Sequence, residues 1–394
     1  MKYPFLYEYS LLDFALVLLY LIIVMVMSNR LAIENKRYFM LFLGIGSLHF
    51  LMTIVYYFLS RVLGNDSIGY YHEASYTYNN WKDAFGQGIY FIYFLVYPLV
   101  KYLGLTYLGC FFLFSFVGLI AFYKLFKVYT HLFNNEWNNW LYLLLLPNMH
   151  FWSVAIGKDV LMFYGFSLVL YNYYFRKPVI NYVFPLLLMG FIRIHVLFFF
   201  LGGLVVAQLF FNKEMKLYLK TLLVSIVLGI VLVTMPFFLE LVGAGKNASI
   251  ANRLDMFEAK QFEGASTSEN MHDANILYKC FSYLFRPLFY DVHNFLAIEA
   301  SFENLLWVLM FYAIVKHYKL KSVPRLKQYF WYGVIIIICV ILPSVYTLNN
   351  IGIALRQKHM ISPFLLFVFY IVIIDKTTRK YKAQSDDQIL SYIR

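Results

Sequence analysis

The residues best able to do chemistry in this sequence are charged and imidazole side chains that interrupt long apolar runs. Arg193-Ile194-His195 separates LLLMGFI from VLFFFLGG, and Gly157-Lys158-Asp159 lies between two other apolar stretches. A guanidinium group binds phosphate through a rigid fork of N–H donors, and imidazole exchanges a proton near neutral pH. Charges in such places are costly in lipid and indicate function. An interfacial Arg anchor and a Lys–Asp pair that snorkels to the surface are the simpler interpretations.

Further groups of this kind follow later in the chain. Arg286-Pro287 precedes Asp291-Val292-His293, and Glu299 and Glu303 lie one helical turn apart in the next apolar segment. Arg356-Gln357-Lys358-His359 directly precedes the last apolar run. Clustered cations at a membrane surface favour an anionic partner. The predicted anion-binding residues are therefore Lys158, Arg193, Arg286, Arg356 and Lys358, with His293 and Glu303 beside them.

An acidic group stands nearer the N-terminus. Asp66, Tyr70, Tyr71 and Glu73 lie within two helical turns, just after an apolar segment. A carboxylate at the membrane surface can accept the proton of a sugar hydroxyl as a general base. Asp66 is thus a candidate catalytic base, like Asp159 and His195, and Glu73 a candidate substrate ligand. The alternative is that Asp66 caps the next helix, with Asn65 in the turn.

The sequence predicts neither a metal site nor a cofactor. Its histidines form no HxxxH or HxH pair, and the three cysteines, Cys110, Cys280 and Cys339, allow at most one disulfide. No GxSxG, P-loop or GxGxxG motif is present.

The elements that position these residues follow from composition. Hydrophobic residues make up 62% of the 394 residues and charged residues only 14%, against about 45–50% and about 25% in soluble domains. An apolar excess of this size predicts a single all-α, polytopic membrane domain over residues 1–394. Windows of about 19 apolar residues predict eleven spans, at 10–28, 38–60, 105–123, 137–156, 159–175, 179–193, 195–212, 217–240, 298–316, 328–347 and 360–375.

Two places in this sequence of spans are irregular. Residues 88–104, interrupted by Pro98 and Lys101, read as an interfacial helix. Pro147 and Ser153 favour a short re-entrant hairpin that opens around a polar cavity. The first span lacks a small-x-small site after its apolar run, so we do not expect a cleaved signal peptide.

The distribution of charge predicts the orientation. If the N-terminus is outside, the cytoplasmic segments hold 20 of the 33 Lys and Arg residues and six of the 21 Asp and Glu residues. This positive-inside bias predicts a cytoplasmic C-terminal tail at 376–394 and long extracytoplasmic loops at 61–90 and 241–297, the second with amphipathic helices. The net charge of +12 thus indicates membrane topology, and no nucleic-acid partner is predicted. Almost all the candidate residues fall on the outer side, where cations beside a base suit a lipid-linked phosphate or pyrophosphate.

Taken in order, these motifs resemble a known family. The GNDSIGYY loop, the FWS…KD hairpin, the apolar-flanked R-x-H, the FRP segment and the N-x-G-x-x-x-R-Q-K run are similar to those of bacterial surface-polysaccharide polymerases of the Wzy and EpsG-like kind. These belong to the wider GT-C group of membrane glycosyltransferases. The resemblance covers most of the chain, from Asp66 to Pro363.

The resemblance implies a multi-pass enzyme of the bacterial inner (cytoplasmic) membrane. Such enzymes use polyprenyl-diphosphate-linked oligosaccharides on the extracytoplasmic side, without a metal or a nucleotide-sugar, and a chain-length regulator protein is a possible partner. It further implies that Arg193, Arg286 and Arg356 hold the diphosphate, and that His195, Asp66 or Asp159 assists the acceptor hydroxyl.

Two departures from the family leave alternatives open. The loop 241–297 contains only Arg253 and Arg286, where such polymerases often carry paired arginines. A GT-C transferase that uses a polyprenyl-phosphate monosaccharide would carry an acidic pair in its first loop, and Asp66 and Glu73 stand seven residues apart. A lipid-linked sugar flippase, or a structural membrane protein, is a further alternative. A flippase predicts internal repeats and a polar path through the bilayer.

Overall fold

A computed structural model describes most of the chain. The described residues are 4–211, 216–218, 220–222, 224–225, 228–229, 271, 274–292, 295–320, 324–346, 348 and 350–393. They contain no β-strand, which agrees with the all-α prediction. The long loop 241–297, including Arg253 and His293, and the predicted span 217–240 lie largely outside these residues.

The helices occur in two runs along the chain. The first run comprises α1 (Leu11–Ala32), α2 (Lys36–Leu63), α3 (Asp66–Tyr76), α4 (Ile89–Lys101), α5 (Tyr107–Leu132), α6 (Pro147–Phe151), α7 (Lys158–Tyr174), α8 (Ile180–Ile192) and α9 (Ile194–Phe211). The second comprises α10 (Ile276–Phe285), α11 (Phe295–His317), α12 (Pro324–Tyr346) and α13 (Ile351–Ile393). Short 3₁₀ helices cover Pro4–Tyr7, Trp81–Ala84, Asn139–Leu145 and Phe289–Asp291.

Seven helices of the described residues are long and apolar enough to cross a membrane. They are α1, α2, α5, α9, α11, α12 and α13, and each coincides with one of the predicted spans. The chain is therefore a polytopic, all-helical membrane protein. The number eleven is not confirmed, because α7 and α8 have only 17 and 13 residues.

The predicted span 137–156 is not one helix. It consists of the 3₁₀ helix Asn139–Leu145 and the five-residue α6. Leu146, between them, is extended, with φ −60° and ψ 119°. Pro147 explains this break, because its ring disfavours helical geometry in the residue before it and it lacks an N–H.

Polar caps begin several helices of the first run. Ser10 caps α1 in a reciprocal capping box with Asp13, and Thr106 caps α5. Asn65 caps α3, where its side chain accepts from the Ser67 N–H. The alternative that Asp66 is the cap is therefore wrong, and Asp66 is the first residue of the helix. The residue is exposed.

The chain divides into two compact units, Met1–Leu197 with His359–Pro363 and Phe198–Lys358 with Phe364–Arg394. Aromatic side chains fill the core of the first. Tyr57, Tyr71 and Tyr107 are buried together, and their ring centroids lie 5.5–5.7 Å apart where they meet. Each hydroxyl has an acceptor, which removes the cost of burying it. Burial raises the pKa of Tyr71 well above its ordinary value, so its phenol stays neutral.

Glycines allow close helix contacts in the second unit. A Cβ at Gly333 of α12 would lie 2.6 Å from Cγ2 of Val368 in α13. A Cβ at Gly203 of α9 would lie 3.1 Å from Cβ of Cys339 in α12. Small residues let membrane helices approach closely, where packing drives their association.

Candidate functional site

Arg193 and Asp159 form a buried ion pair in the first unit. Arg193 ends α8, and its Nη2 donates to Oδ1 of Asp159 at 2.9 Å. Only 15% and 8% of the two side chains are exposed. Asp159 lies in the first turn of α7, where the positive end of the helix dipole also stabilises a carboxylate. The pair thus joins the start of α7 to the end of α8.

The guanidinium of Arg193 carries a buried donor that the ion pair does not use. Its Nε is buried and has no hydrogen-bond partner among the described residues. An unsatisfied buried donor costs about 1–3 kcal/mol, and more on a charged group. An oxygen of an anionic ligand would satisfy this donor.

Two of the other predicted residues lie beside this pair. Lys158 is adjacent to Asp159 in α7, and His195 is the second residue of α9, two residues after Arg193. Arg193 and Lys158 are the charged neighbours that act on His195, and its side chain is exposed. The structure therefore brings together four predicted residues, here named the Arg193 cluster: Lys158, Asp159, Arg193 and His195.

The acidic residues of α3 lie on one face of that helix. Asp66 and Glu73 are seven residues apart, close to two helical turns. Burial raises the pKa of the Tyr93 phenol in α4, and the negative charges of Glu73 and Asp66 raise it further. Glu73 also accepts from the Thr77 hydroxyl at 2.6 Å. This acidic face offers carboxylate acceptors for hydroxyl groups.

α3 packs against the start of α7 through Tyr70. A Cβ at Gly157 would lie 3.4 Å from Cε2 of Tyr70, so the ring sits directly over the residue before Lys158. The same ring lies 6.1 Å from that of Tyr93. The contact of Tyr70 with Gly157 thus links the helix of the acidic face to the start of the Arg193 cluster.

The second unit contains its own buried charges. Arg286, at the end of α10, binds Asp291 through Nε, which lies 3.0 Å from Oδ2, and through Nη2. Its Nη1 donates to the hydroxyl of Tyr278 at 2.9 Å, and its guanidinium lies 5.3 Å from the ring centroid of Tyr290. This fork-shaped pairing fixes the turn that follows α10.

Lys358 is linked to that turn by hydrogen bonds. It is fully buried, and its ammonium donates to Oδ1 of Asn304 and to the carbonyl of Leu284 at 3.2 Å. Asn304 in turn donates to the carbonyl of Pro287 at 2.8 Å. The hydrogen bonds therefore run from Lys358 through Asn304 to the turn that carries Arg286.

Glu303 is buried next to Asn304 on α11. Its Oε1 accepts from the indole N–H of Trp307 at 3.2 Å, and its charge acts on Lys358. Arg286, Glu303 and Lys358, three of the predicted substrate-binding residues, thus lie together in the second unit. Arg356, two residues before Lys358, is half-buried, and His293 lies outside the described residues. The contacts of all these residues with a substrate stay predictions.

Sequence reasoning did not single out Asn304 and Trp307, or the pairing of His49 with His150. Asn304 was visible as an amide in an apolar helix, next to Glu303. No pattern indicates the histidine pair, because its members are 101 residues apart.

Among the described residues, no group of three or more His, Cys, Asp or Glu side chains is placed to hold a metal ion. Comparison with known proteins gives no relative: no family model matches the chain, nor does any curated protein or solved structure.

Proposed function

We propose that this protein is a glycosyltransferase of the bacterial inner membrane, which polymerises or transfers polyprenyl-diphosphate-linked oligosaccharides at the extracytoplasmic face. The observation that carries the proposal is the Arg193 cluster. A buried guanidinium with an unused N–H lies there beside a lysine, a carboxylate and an imidazole. A diphosphate leaving group needs such donors, and a sugar acceptor needs such a base.

In the proposed reaction, the acceptor hydroxyl oxygen bonds to the anomeric carbon of the donor sugar as the bond from that carbon to the diphosphate oxygen breaks. The hydroxyl proton passes to a carboxylate or imidazole, for which Asp66, Asp159 and His195 are the candidates. The polyprenyl diphosphate leaves with the bonding electrons, and cationic donors stabilise its growing negative charge. Arg193, with Lys158, supplies such donors in the first unit.

Charges in the second unit add support. Arg286, Glu303 and Lys358 are each less than 6% exposed, in a part of the chain made of membrane-spanning helices. Ionisable groups in such surroundings are retained mainly for function. We assign Arg286 and Arg356 to substrate binding, and Lys358 to holding the turn that presents Arg286.

The proposed topology has the N-terminus outside, the C-terminus in the cytoplasm and eleven spans. The seven helices and the short α7 and α8 are compatible with it, since short helices can cross a locally thinned bilayer. In this topology the Arg193 cluster and the acidic face of α3 are extracytoplasmic. A chain-length regulator is the proposed partner protein.

A second candidate function has its own observation. Asp66 and Glu73 share one face of α3 and both act on Tyr93. They could serve as the acidic pair of a GT-C transferase that uses a polyprenyl-phosphate monosaccharide as its donor. Such a transferase adds one sugar, whereas a polymerase gives a ladder of lengths. A flippase would give neither a single added sugar nor a ladder of lengths, and its loss would trap single repeat units inside the cell.

The experiment is polymer-length analysis in cells that depend on this gene. Arg193→Ala, Arg286→Ala and Arg356→Ala are expressed singly, with Arg176→Ala, at an exposed arginine after α7, as the matched control. We expect each of the three to shorten or abolish the polymer at equal membrane abundance, and the control to leave it unchanged. Wild-type polymer from all three variants would contradict the proposal.

A further inference from the structure

Two histidines that do not belong to the Arg193 cluster meet inside the first unit. His49, midway along α2, and His150, in α6, are both fully buried. Their Nδ1 atoms lie 3.1 Å apart, which is hydrogen-bonding distance. The two rings contact each other directly.

The other nitrogen of each ring faces a backbone carbonyl. Nε2 of His49 lies 3.0 Å from the carbonyl oxygen of Ser115, and Nε2 of His150 lies 2.8 Å from that of Leu144. A carbonyl oxygen can only accept, so each Nε2 has to carry the hydrogen.

The number of protons then decides the state of the pair. A neutral imidazole carries one N–H, so two neutral rings hold two protons, and both are used at the Nε2 atoms. The two Nδ1 atoms would then face each other with lone pairs only, which repel. Turning either ring over would place C–H groups against the carbonyl and the other ring, and would lose both of its hydrogen bonds. One additional proton, placed between the Nδ1 atoms, satisfies all three contacts.

The surroundings fit a cationic pair. The ring of Phe122 stacks on His150, with centroids 4.1 Å apart and planes 5° from parallel, and an aromatic face attracts a cation. Burying a charge is costly. Three charge-assisted hydrogen bonds and the Phe122 face act against this cost.

A glycine makes room for the pair. A Cβ at Gly118 of α5 would lie 2.8 Å from Nε2 of His49 and 2.2 Å from the carbonyl oxygen of Ser153. Any larger residue would therefore displace the His49 ring or the backbone near His150.

No carboxylate, lysine or arginine of the described residues acts on either ring; the charge that acts on His49 is that of His150. From α1, the titratable Tyr20 donates its hydroxyl to the carbonyl of Gly46 at 3.4 Å. From α2 and α5, Thr53 and Ser115 present hydroxyls, with their oxygens 2.7 Å apart. The pair is thus isolated from other charges, and its protonation depends on its own geometry.

We propose that His49 and His150 form a proton-binding site, which takes up one proton from water and shares it between the two Nδ1 atoms. One N–H bond forms as an O–H bond of a hydronium ion breaks and water is released; no bond of the protein breaks, and the neutral pair becomes a monocation. The site shares no residue with the proposed glycosyl-transfer machinery, so either proposal can fail without the other.

The test is nuclear magnetic resonance on the full-length protein, with ¹⁵N-labelled histidine, in lipid nanodiscs between pH 8 and 4. Spectra of His49→Gln and His150→Gln assign the two rings. We expect both Nε2 atoms to stay protonated, and both Nδ1 signals to lie between the protonated and unprotonated values at one common pH range. This pattern corresponds to three protons on four nitrogens. Separate titrations that add two protons, or only two protons on the pair throughout this range, would overturn the proposal.

Two further variants separate the site from general effects. His131→Gln removes the imidazole that bonds to the Tyr174 hydroxyl at 3.0 Å and should leave the shared-proton signals unchanged. Gly118→Ala should abolish them by displacing His49. If Gly118→Ala does not fold, His49→Gln replaces it, and His150 should then keep a single N–H from pH 8 to 4.

Discussion

At Arg193, one guanidinium nitrogen binds Asp159 at 2.9 Å and another is buried without a partner among the described residues. A lysine at this position would keep the charge but would lose the planar fork, so it could not bind Asp159 and a ligand oxygen in the same geometry. The function of this residue therefore depends on the shape of its donor group as well as on its charge.

Arg193→Lys should reduce polymer synthesis by about tenfold or more, because a lost hydrogen bond to a charged group is worth about 1.5–3 kcal/mol. Polymer amount and length are measured in cells at matched protein levels. Arg176→Lys, at an exposed arginine, should have no effect. Full activity of Arg193→Lys would show that only the charge at this position matters.

The same ion pair makes a prediction for stability. Removing one partner leaves an uncompensated buried charge, which costs about 3–5 kcal/mol, whereas replacing both by apolar residues costs much less. Arg193→Met and Asp159→Leu should each lower the thermal unfolding temperature in detergent, and the double variant should recover most of the loss. Additive losses in this double-mutant cycle would mean that the two side chains do not interact energetically.

Chemistry at single residues was only partly predictable. Lys158, Asp159, Arg193 and His195 stand out because each interrupts an apolar run, and runs are visible in sequence. The unused Nε of Arg193 and the contact of His49 with His150 depend on which helices are neighbours, and residue spacing carries no such information. For the same reason the sequence indicates a surface cation at Lys358 of α13, although this side chain is completely buried.

At the scale of elements, hydrogen bonds from α11 and α13 hold the turn after α10. Lys358 of α13 binds Asn304 of α11, and Asn304 binds the carbonyl of Pro287. Three helices thus fix the backbone that presents Arg286. A change at Lys358 should therefore act through the turn.

Lys358→Met keeps the length of the side chain and removes the donor to Asn304. We expect faster hydrogen–deuterium exchange at residues 286–292 and reduced polymer synthesis. Lys279→Met is the matched control, since Lys279 is also buried in the second unit but donates to the carbonyl of Tyr346. If exchange at 286–292 is unchanged, Lys358 does not position this turn.

The elements themselves were foreseeable where hydropathy alone decides them. Seven predicted spans coincide with long helices, because about 20 apolar residues have few alternatives to a helix in lipid. The prediction at 137–156 failed as a single helix because Pro147 and the extended Leu146 divide it. Hydropathy averages over this interruption, although Pro147 itself had indicated an irregular hairpin.

At the scale of the whole molecule, the number of crossings decides which side residues 212–220 face. With the N-terminus outside, eleven spans place these residues in the cytoplasm, whereas the seven long helices alone would place them outside. Both arrangements put the C-terminus in the cytoplasm. Lys216 is exposed and tests the difference.

Single cysteines, in a variant whose three native cysteines are replaced by serine or alanine, are labelled with a membrane-impermeant maleimide in intact cells. Lys82→Cys, in the first predicted outer loop, should react at once. Lys327→Cys and Lys216→Cys should react only after permeabilisation. Labelling of Lys216→Cys in intact cells would favour seven crossings over eleven.

The central claim is glycosyl transfer from a polyprenyl diphosphate, and reconstitution tests it most directly. The purified protein in liposomes is given a polyprenyl-diphosphate-linked oligosaccharide, and the glycan products and released polyprenyl diphosphate are measured together. We predict a ladder of longer glycans, with one polyprenyl diphosphate released for each bond formed. Arg193→Lys should give less of both products, by about tenfold or more. A folded wild-type protein that binds this donor and forms no new glycosidic bond would contradict the account.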